Sequence, residues 1–171
     1  MTPWQFQLSA VVGLLALAPI GCGSESPSGP PQLRLGRDEC RECGMIISED
    51  RCSAALLIER QGRREHVLFD DLGCMLDLER DDLGGATVIV RFVHDHTTRS
   101  WIDAPRATFL LADPEKLPTP MSSGMAAFAA RDDAEKARTD SGGVLLDYHG
   151  LAAARKAWID RRRGAATRPG G

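Results

Sequence analysis

The chain has 171 residues, 43% of them apolar and 5% aromatic, enough for one compact domain or two small ones around a modest core. Its formal net charge of −3 gives no electrostatic footprint for nucleic acid, which is excluded as a partner. No phosphate-cradling glycine loop, Ser-His-Asp order or pair of catalytic carboxylates occurs, so the sequence reads as that of a protein without enzymatic activity.

Residues 8–20 form an apolar run that ends at Gly21-Cys22. It is too short to span a bilayer, which takes about 20 residues, and its length suits the apolar region of a signal peptide. A small residue directly before Cys22 resembles the lipobox of bacterial lipoproteins. Residues 1–21 are then a signal peptide and Cys22 the lipidated mature N-terminus. Pro19 stands where that motif usually has Leu, and no Lys or Arg precedes the run. The alternative is an ordinary cleaved signal that leaves Cys22 as a free thiol. The expectation is an extracytoplasmic protein anchored on the periplasmic side of a bacterial membrane. Residues 22–36, rich in Ser, Gly and Pro, read as a flexible tether that reaches roughly 45 Å when extended. Export places Cys40, Cys43, Cys52 and Cys74 where disulfides are tolerated, and sequence does not choose among their three full pairings.

A first ββαβ unit is expected over residues 37–95. It opens on Cys40-Arg41-Glu42-Cys43-Gly44-Met45. Thiols and thioethers are soft donors that select Cu(I) and, to a lesser degree, Zn(II), and Gly44 lets the backbone turn tightly so that the sulfurs converge. A disulfide or a structural knuckle is the blander reading of the same residues. A thioredoxin-type redox pair needs its first Cys at a helix N-terminus, and Gly44 followed by Ile46-Ile47 is poor helix chemistry. Next come a strand over 52–59, a hairpin turn over 60–64 and a returning strand over 66–69. Asp70 or Asp71 then caps a helix to about Arg80, with Leu72, Met75, Leu76 and Leu83 at helical spacing. Gly84-Gly85 stops it, and residues 87–93 form a strongly β-forming run. Cys74 lies on the helix. With Cys40 and Cys43 it resembles the zinc modules of the TRASH and YHS type, whose fourth donor would be Cys52, His66 or another residue; a buried, inert core cysteine is the preferred reading.

A second ββαβ unit is expected over residues 96–150. The triplet His94-Asp95-His96 before it reads as a polar loop, with His96 a secondary metal candidate. A strand over 106–111 is followed by a loop, Pro118-Thr119-Pro120-Met121-Ser122-Ser123-Gly124-Met125. Met121 is the thioether best placed to reach from this unit to the first. Met125 opens the next strand, 125–129, as a gap-filling core residue and is a secondary ligand candidate. A helix capped by Asp132 or Asp133 runs to about Asp140, Gly142-Gly143 stops it, and residues 144–148 close the unit. Phe69 and Phe128 take equivalent places in a self-similarity of about 58 residues. The fold class is therefore α+β, with two tandem ββαβ units packed together because neither buries a good core alone. Residues 151–171 read as a basic, solvated helical tail with a disordered end.

Taken in order, Cys22 after its signal, Cys43-Gly44-Met45, Phe69-Asp70-Asp71-Leu72-Gly73-Cys74-Met75-Leu76, Trp101-Ile102-Asp103-Ala104, Pro120-Met121 with Ser123-Gly124, Ala127-Phe128 and Gly142-Gly143 resemble the NosL family of nitrous-oxide-reductase accessory lipoproteins. The resemblance spans roughly residues 40–148. It implies two ββαβ units in a membrane-anchored, Cu(I)-binding protein that delivers copper to nitrous oxide reductase or its maturation complex in denitrification. Carried over by position, it implies Cys43, Met45 and Met121 as copper ligands, with Cys40 a fourth. The chain departs from the pattern at His96, where the family often has Tyr or Met, and at Ser122, where it often has Gly. Two other functions compete with a Cu(I) metallochaperone: an extracytoplasmic Cys-x-x-Cys thiol-disulfide oxidoreductase, and a zinc-stabilised TRASH/YHS-like interaction module.

Overall fold

The fold is that of a computed structural model, which describes residues 26–81 and 83–166; the expected signal peptide over residues 1–21 and Cys22 lie outside the described residues. The first half is built on β1 (Ala54–Arg60), paired antiparallel with β2 (Arg63–Phe69) on one side and β3 (Thr87–His94) on the other. β4 (Trp101–Asp103) extends the sheet to the order β2-β1-β3-β4. β1 is apolar without alternation because both of its faces are covered. Ala54, Leu56 and Ile58 enter the main core, while Ala55 and Leu57 join Phe92 in a smaller cluster on the opposite face. α1 (Leu72–Asp81) buries Leu72, Met75 and Leu76 in the main core. Asp71 caps it, its Oδ1 accepting the Gly73 N–H at 2.6 Å.

The chain before residue 37 accounts for part of the cover on the second face. Pro31 is buried, Pro30 lines a cavity with Phe92 and Trp101, and His66 Nε2 donates to the Gly29 carbonyl at 2.7 Å. Leu33 packs on the main core and the Gly36 N–H donates to Ile47 O at 2.9 Å. The stretch read as a tether over 22–36 is therefore docked from Gly29 onward. Pro30 stands beside the Phe92 face.

The second half repeats the topology. β5 (Thr108–Leu111) pairs antiparallel with β6 (Met125–Phe128) and β7 (Val144–Leu146) in the order β6-β5-β7, the counterpart of β2-β1-β3, with α2 (Arg131–Ser141) between β6 and β7. Phe69 and Phe128 are both buried at the ends of their strands. The expected α+β pair of ββαβ units is thus present. Several boundaries differ from the sequence reading: the turn expected over 60–64 is only Gln61-Gly62, β5 starts at Thr108 and not at 106, and β4, expected within the second unit, pairs in the first sheet. Ala130 is the N-cap of α2 and makes no side-chain cap, while Asp132 and Asp133 lie in the first turn, where their charge meets the positive end of the helix. Tyr148 opens α3 (Tyr148–Ala166) rather than closing a strand, because Asp147 Oδ1 accepts the Gly150 N–H at 2.7 Å and starts the helix there.

One core serves both halves: Phe109, Met125, Ala127 and Leu151 pack with Leu56, Phe69 and Met75. Asp95 is the joint. Its backbone bridges Ala127, its Oδ1 accepts the Ala129 N–H at 3.0 Å, and its Oδ2 accepts the Thr98 N–H at 3.0 Å and hydroxyl at 2.6 Å. Burial pushes the Asp95 carboxyl up, but these hydrogen bonds outweigh it and hold it below its ordinary value. His94 is buried, 2.6 Å from Ser53 Oγ through Nδ1 and stacked on Trp101 at 3.6 Å. The triplet read as a polar loop is an interior junction, since strand β3 carries it into the contact between the two sheets. α3 is tied to α1 by Arg155, which donates to Asp77 at 3.0 and 2.7 Å. Among the described residues no helix is long and apolar enough to cross a membrane.

Candidate metal centre

Residues 38–47 form a tight antiparallel loop. Ile47 N–H donates to Asp38 O at 2.9 Å, Cys40 N–H to Met45 O at 2.8 Å, and Gly44 N–H to Cys40 O at 2.9 Å. Gly44 holds φ 73°, a left-handed conformation that glycine adopts without steric cost. The Arg41 N–H donates to Leu68 O at 2.9 Å and fixes the loop against the end of β2. Asp38, at its base, is held by Arg34 at 2.6 Å, and that hydrogen bond holds its carboxyl below the ordinary value.

Where β2 gives way to α1, Asp70 and Cys74 face this knuckle. The Sγ atoms of Cys40, Cys43 and Cys74 and a carboxylate oxygen of Asp70 all lie within 4.8 Å of one another. Cys43 Sγ is 3.6 and 3.7 Å from the two Asp70 oxygens. Cys40 and Cys74 are 1% and 4% exposed, Cys43 is half-buried, and all three are free thiols. The Cys74 thiol donates toward Cys40 and draws the Cys40 thiol down to about 7; the same bond, with burial, pushes Cys74 up. Burial pushes Cys43 up to about 11. Cys40 is therefore the first of the three to ionise, and a metal that binds all three displaces protons from the others.

The predicted ligands divide in space. Cys40 and Cys43 lie in the cluster, and Cys74, favoured as inert core, packs in the core with its sulfur in the cluster as well. Met45 follows in the knuckle and is 52% exposed. Met121 is 40% exposed on a loop that a turn shapes, the Ser122 N–H donating to Thr119 O at 2.9 Å. Gly124 lets this loop return to β6: with φ +66° and Ala112 O 2.2 Å from where a Cβ would stand, no other residue fits. Met125 is 2% exposed and belongs to the core. His96 packs on Phe128 at 5.4 Å, with Nδ1 buried and unpaired and its pKa lowered first by burial; it is not in the cluster. Cys52 and His66, named as possible fourth donors, are not in it either. Burial pushes Cys52 up to about 12, and His66 is bonded to Gly29.

Asp70 is the donor that the sequence reading missed, having treated it as a possible helix cap. Asp71 takes the cap and leaves Asp70 free to face the thiols. The available signal was its place one helical turn before Cys74, the spacing that sets two side chains on one side.

These features define a class: an α+β protein of two ββαβ units with a thiol–carboxylate cluster of metal-ligand type at the foot of its first helix. The NosL family model matches residues 34–155, and the chain belongs to the NosL family. Among solved structures it is similar to the copper chaperone NosL from Shewanella denitrificans, with a TM-score of 0.60 and 21% identity over 72% of this chain and 96% of that one. A search of curated proteins returns no match.

Proposed function

We propose that the chain is a Cu(I) metallochaperone that delivers its ion to a copper enzyme. The observation that carries this reading is the convergence of Cys40, Cys43 and Cys74 within 4.8 Å on a knuckle whose next side chain, Met45, is an exposed thioether. Family membership and the copper chaperone of the same fold support it. Cu(I) favours thiolate and thioether donors. Cys40 and Cys43 are the anionic anchors, and Met45 and Met121, both exposed, are the neutral donors.

That division suits delivery. A thiolate holds copper strongly but must lose a proton first, which the hydrogen bond from Cys74 favours at Cys40 by holding its thiol below the ordinary value. A thioether has no proton to lose, binds more weakly and, at the surface, yields its place to an entering ligand of the recipient. The thiol oxidoreductase reading has less support. Cys40 sits in a β-type loop rather than at the helix N-terminus where a thioredoxin-type pair places its first Cys. The chain acts by binding and transfer, with no catalysed reaction. Lipidation at Cys22 would hold it at the periplasmic face of a membrane, near its recipient, nitrous oxide reductase or its maturation complex.

Anaerobic titration of the reduced chain with Cu(I) against a chromophoric chelator tests the reading. It predicts one tightly held equivalent, its loss in Cys43→Ser, and transfer to copper-free nitrous oxide reductase. The absence of stoichiometric binding, or binding untouched by both Cys43→Ser and Met121→Ala, would refute it.

A further inference from the structure

We infer that the cleft between α3 and the Met121 loop is a docking site for an acidic segment of a partner protein, one that presents an apolar side chain between carboxylates. The inference extends the reading of the chain as a copper donor and rests on it for what the docking serves. The cleft has a volume of about 460 Å³, within the range of a ligand pocket. Ala112 and Pro114 line it from the second unit, and Ala154, Ala157 and Trp158 from α3. Arg161 and Arg162 also line it and are exposed.

The aromatic wall is set in advance. Trp158 is 39% exposed, yet its ring lies 4.5 Å from the Arg155 guanidinium and 4.7 Å from that of Arg162. Arg155 is fixed in turn by Asp77 at 3.0 and 2.7 Å. An indole flanked by two cations is held before anything binds, so covering it costs little ordering. Trp and Arg are also the side chains that concentrate binding energy at protein interfaces.

Charge selects the occupant. α3 carries Arg155, Lys156, Arg161, Arg162 and Arg163 against Asp160, a net +4, which leaves −7 for the rest of a chain whose total is −3. Asp77 and Asp160 pair with Arg155 and Lys156. Arg161 and Arg162 have no carboxylate partner among the described residues, and Arg162 turns to the Trp158 ring instead. Two such cations beside an apolar cleft are complementary to carboxylates flanking an apolar anchor.

Placement points to a protein and not to a lipid surface. Ser122 and Ser123 line the same cleft, so its occupant lies beside the exposed thioether of Met121. Gly73 joins the two walls: a Cβ there would stand 3.1 Å from Ser123 Cβ and 3.3 Å from the Arg155 guanidinium carbon. Pro30, near the start of the described chain, stands beside the Phe92 face of the first sheet. Leu76 of α1 and Leu151 of α3 pack on the opposite face with Leu56. A membrane anchor ahead of Pro30 would therefore turn α3 away from the lipid. Trp158, Arg161 and Arg162 also lie beyond residues 34–155, the stretch that the family model matches.

The test is fluorescence anisotropy of the labelled peptide Glu-Asp-Glu-Phe-Glu-Asp-Glu titrated with the metal-free, reduced full chain. The unaltered chain is expected to bind it at least about ten-fold tighter than a counterpart with Gln and Asn for the acids or with Ala for the Phe, and binding should weaken as salt rises. Trp158→Ala is expected to weaken it about thirty-fold, the scale of a truncated anchor, and Arg161→Ser with Arg162→Ser about ten-fold. Cu(I) affinity should change by less than about two-fold in both variants, because all sulfurs remain. Circular dichroism checks folding. Should the variants not fold, NMR of the unaltered chain decides: the acidic peptide must move the Trp158 indole N–H signal, and a signal that stays in place overturns the inference. Binding that ignores the acids or the Phe, or that survives both substitutions, overturns it as well. So does Trp158-dependent binding to phosphatidylglycerol vesicles without binding of the peptide, which makes the occupant a membrane. A dimer in sedimentation velocity that the same substitutions abolish makes the occupant a second copy and also overturns it. No metal enters the peptide titration, so failure to bind Cu(I) refutes the copper reading alone.

Discussion

Asp71 and Met121, fifty positions apart in sequence, are joined directly: Asp71 Oδ2 accepts the Met121 N–H at 3.1 Å. The same oxygen accepts the Thr119 hydroxyl at 2.7 Å, and Oδ1 caps α1 through Gly73. The residue beside the cluster donor Asp70 therefore holds the loop that carries the exposed thioether of the second unit. Asp71→Ala leaves buried donors without acceptors and removes a cap, which costs about 2–4 kcal/mol. Urea unfolding is expected to show that loss, and a Cu(I) competition assay a weaker affinity as the Met121 loop comes loose.

The same loop carries a conformational cost that can be removed. Ser122 holds φ 52°, where a side chain costs roughly 1–2 kcal/mol and glycine almost nothing. Part of that gain is offset by the greater freedom of glycine in the unfolded chain. Ser122→Gly is expected to stabilise the protein by about 0.5–1 kcal/mol, read as a rise in the urea midpoint with an unchanged slope.

Asp95 accepts three hydrogen bonds, one of which, from the Ala129 N–H, joins the two halves, while the two from Thr98 fix the turn between β3 and β4. Asp95→Ala should lower stability by about 1–3 kcal/mol, since each of the three hydrogen bonds contributes about 0.5–1.5 kcal/mol net and the donors, on exposed residues, can turn to water. Because one core spans both sheets, the loss should appear as a single cooperative transition shifted to lower denaturant, not as separate melting of the halves.

His94 makes stability depend on pH. Burial lowers its pKa below 6.5, although Asp50 opposes the shift. The unfolded chain then binds more protons than the folded one as pH falls. The contribution is complete above about pH 6.5 and is lost as pH drops toward the folded value. Urea midpoints should fall between pH 7.5 and 5.5, and the fall should be smaller in His94→Gln. A midpoint that rises on acidification would contradict the assignment.

Much of this architecture was legible in the chain itself. Gly142-Gly143, the paired Asp residues and the Phe69/Phe128 correspondence mark two ββαβ units, and local turn chemistry specifies each hairpin. What stayed hidden was tertiary. The place of Asp70 in the thiol cluster depends on Asp71 taking the cap, which a pair of identical neighbours does not reveal. Cys74 could not be told from an ordinary core thiol until the knuckle was folded back over α1. The docked stretch from Gly29 has the composition of a linker, and its contacts with His66, the main core and Ile47 are tertiary. The His94-Asp95-His96 triplet has the polarity of a surface turn, yet Ser53 and Trp101 hold His94, and the Ala129 and Thr98 donors hold Asp95, at the junction of the two sheets.

The most direct test is X-ray absorption at the copper edge on the anaerobically loaded, unaltered chain. The account predicts Cu(I) with a first shell made of sulfur alone, and a lower sulfur count in Met121→Ala. A first shell dominated by nitrogen or oxygen, or a spectrum identical in Cys43→Ser, would contradict it.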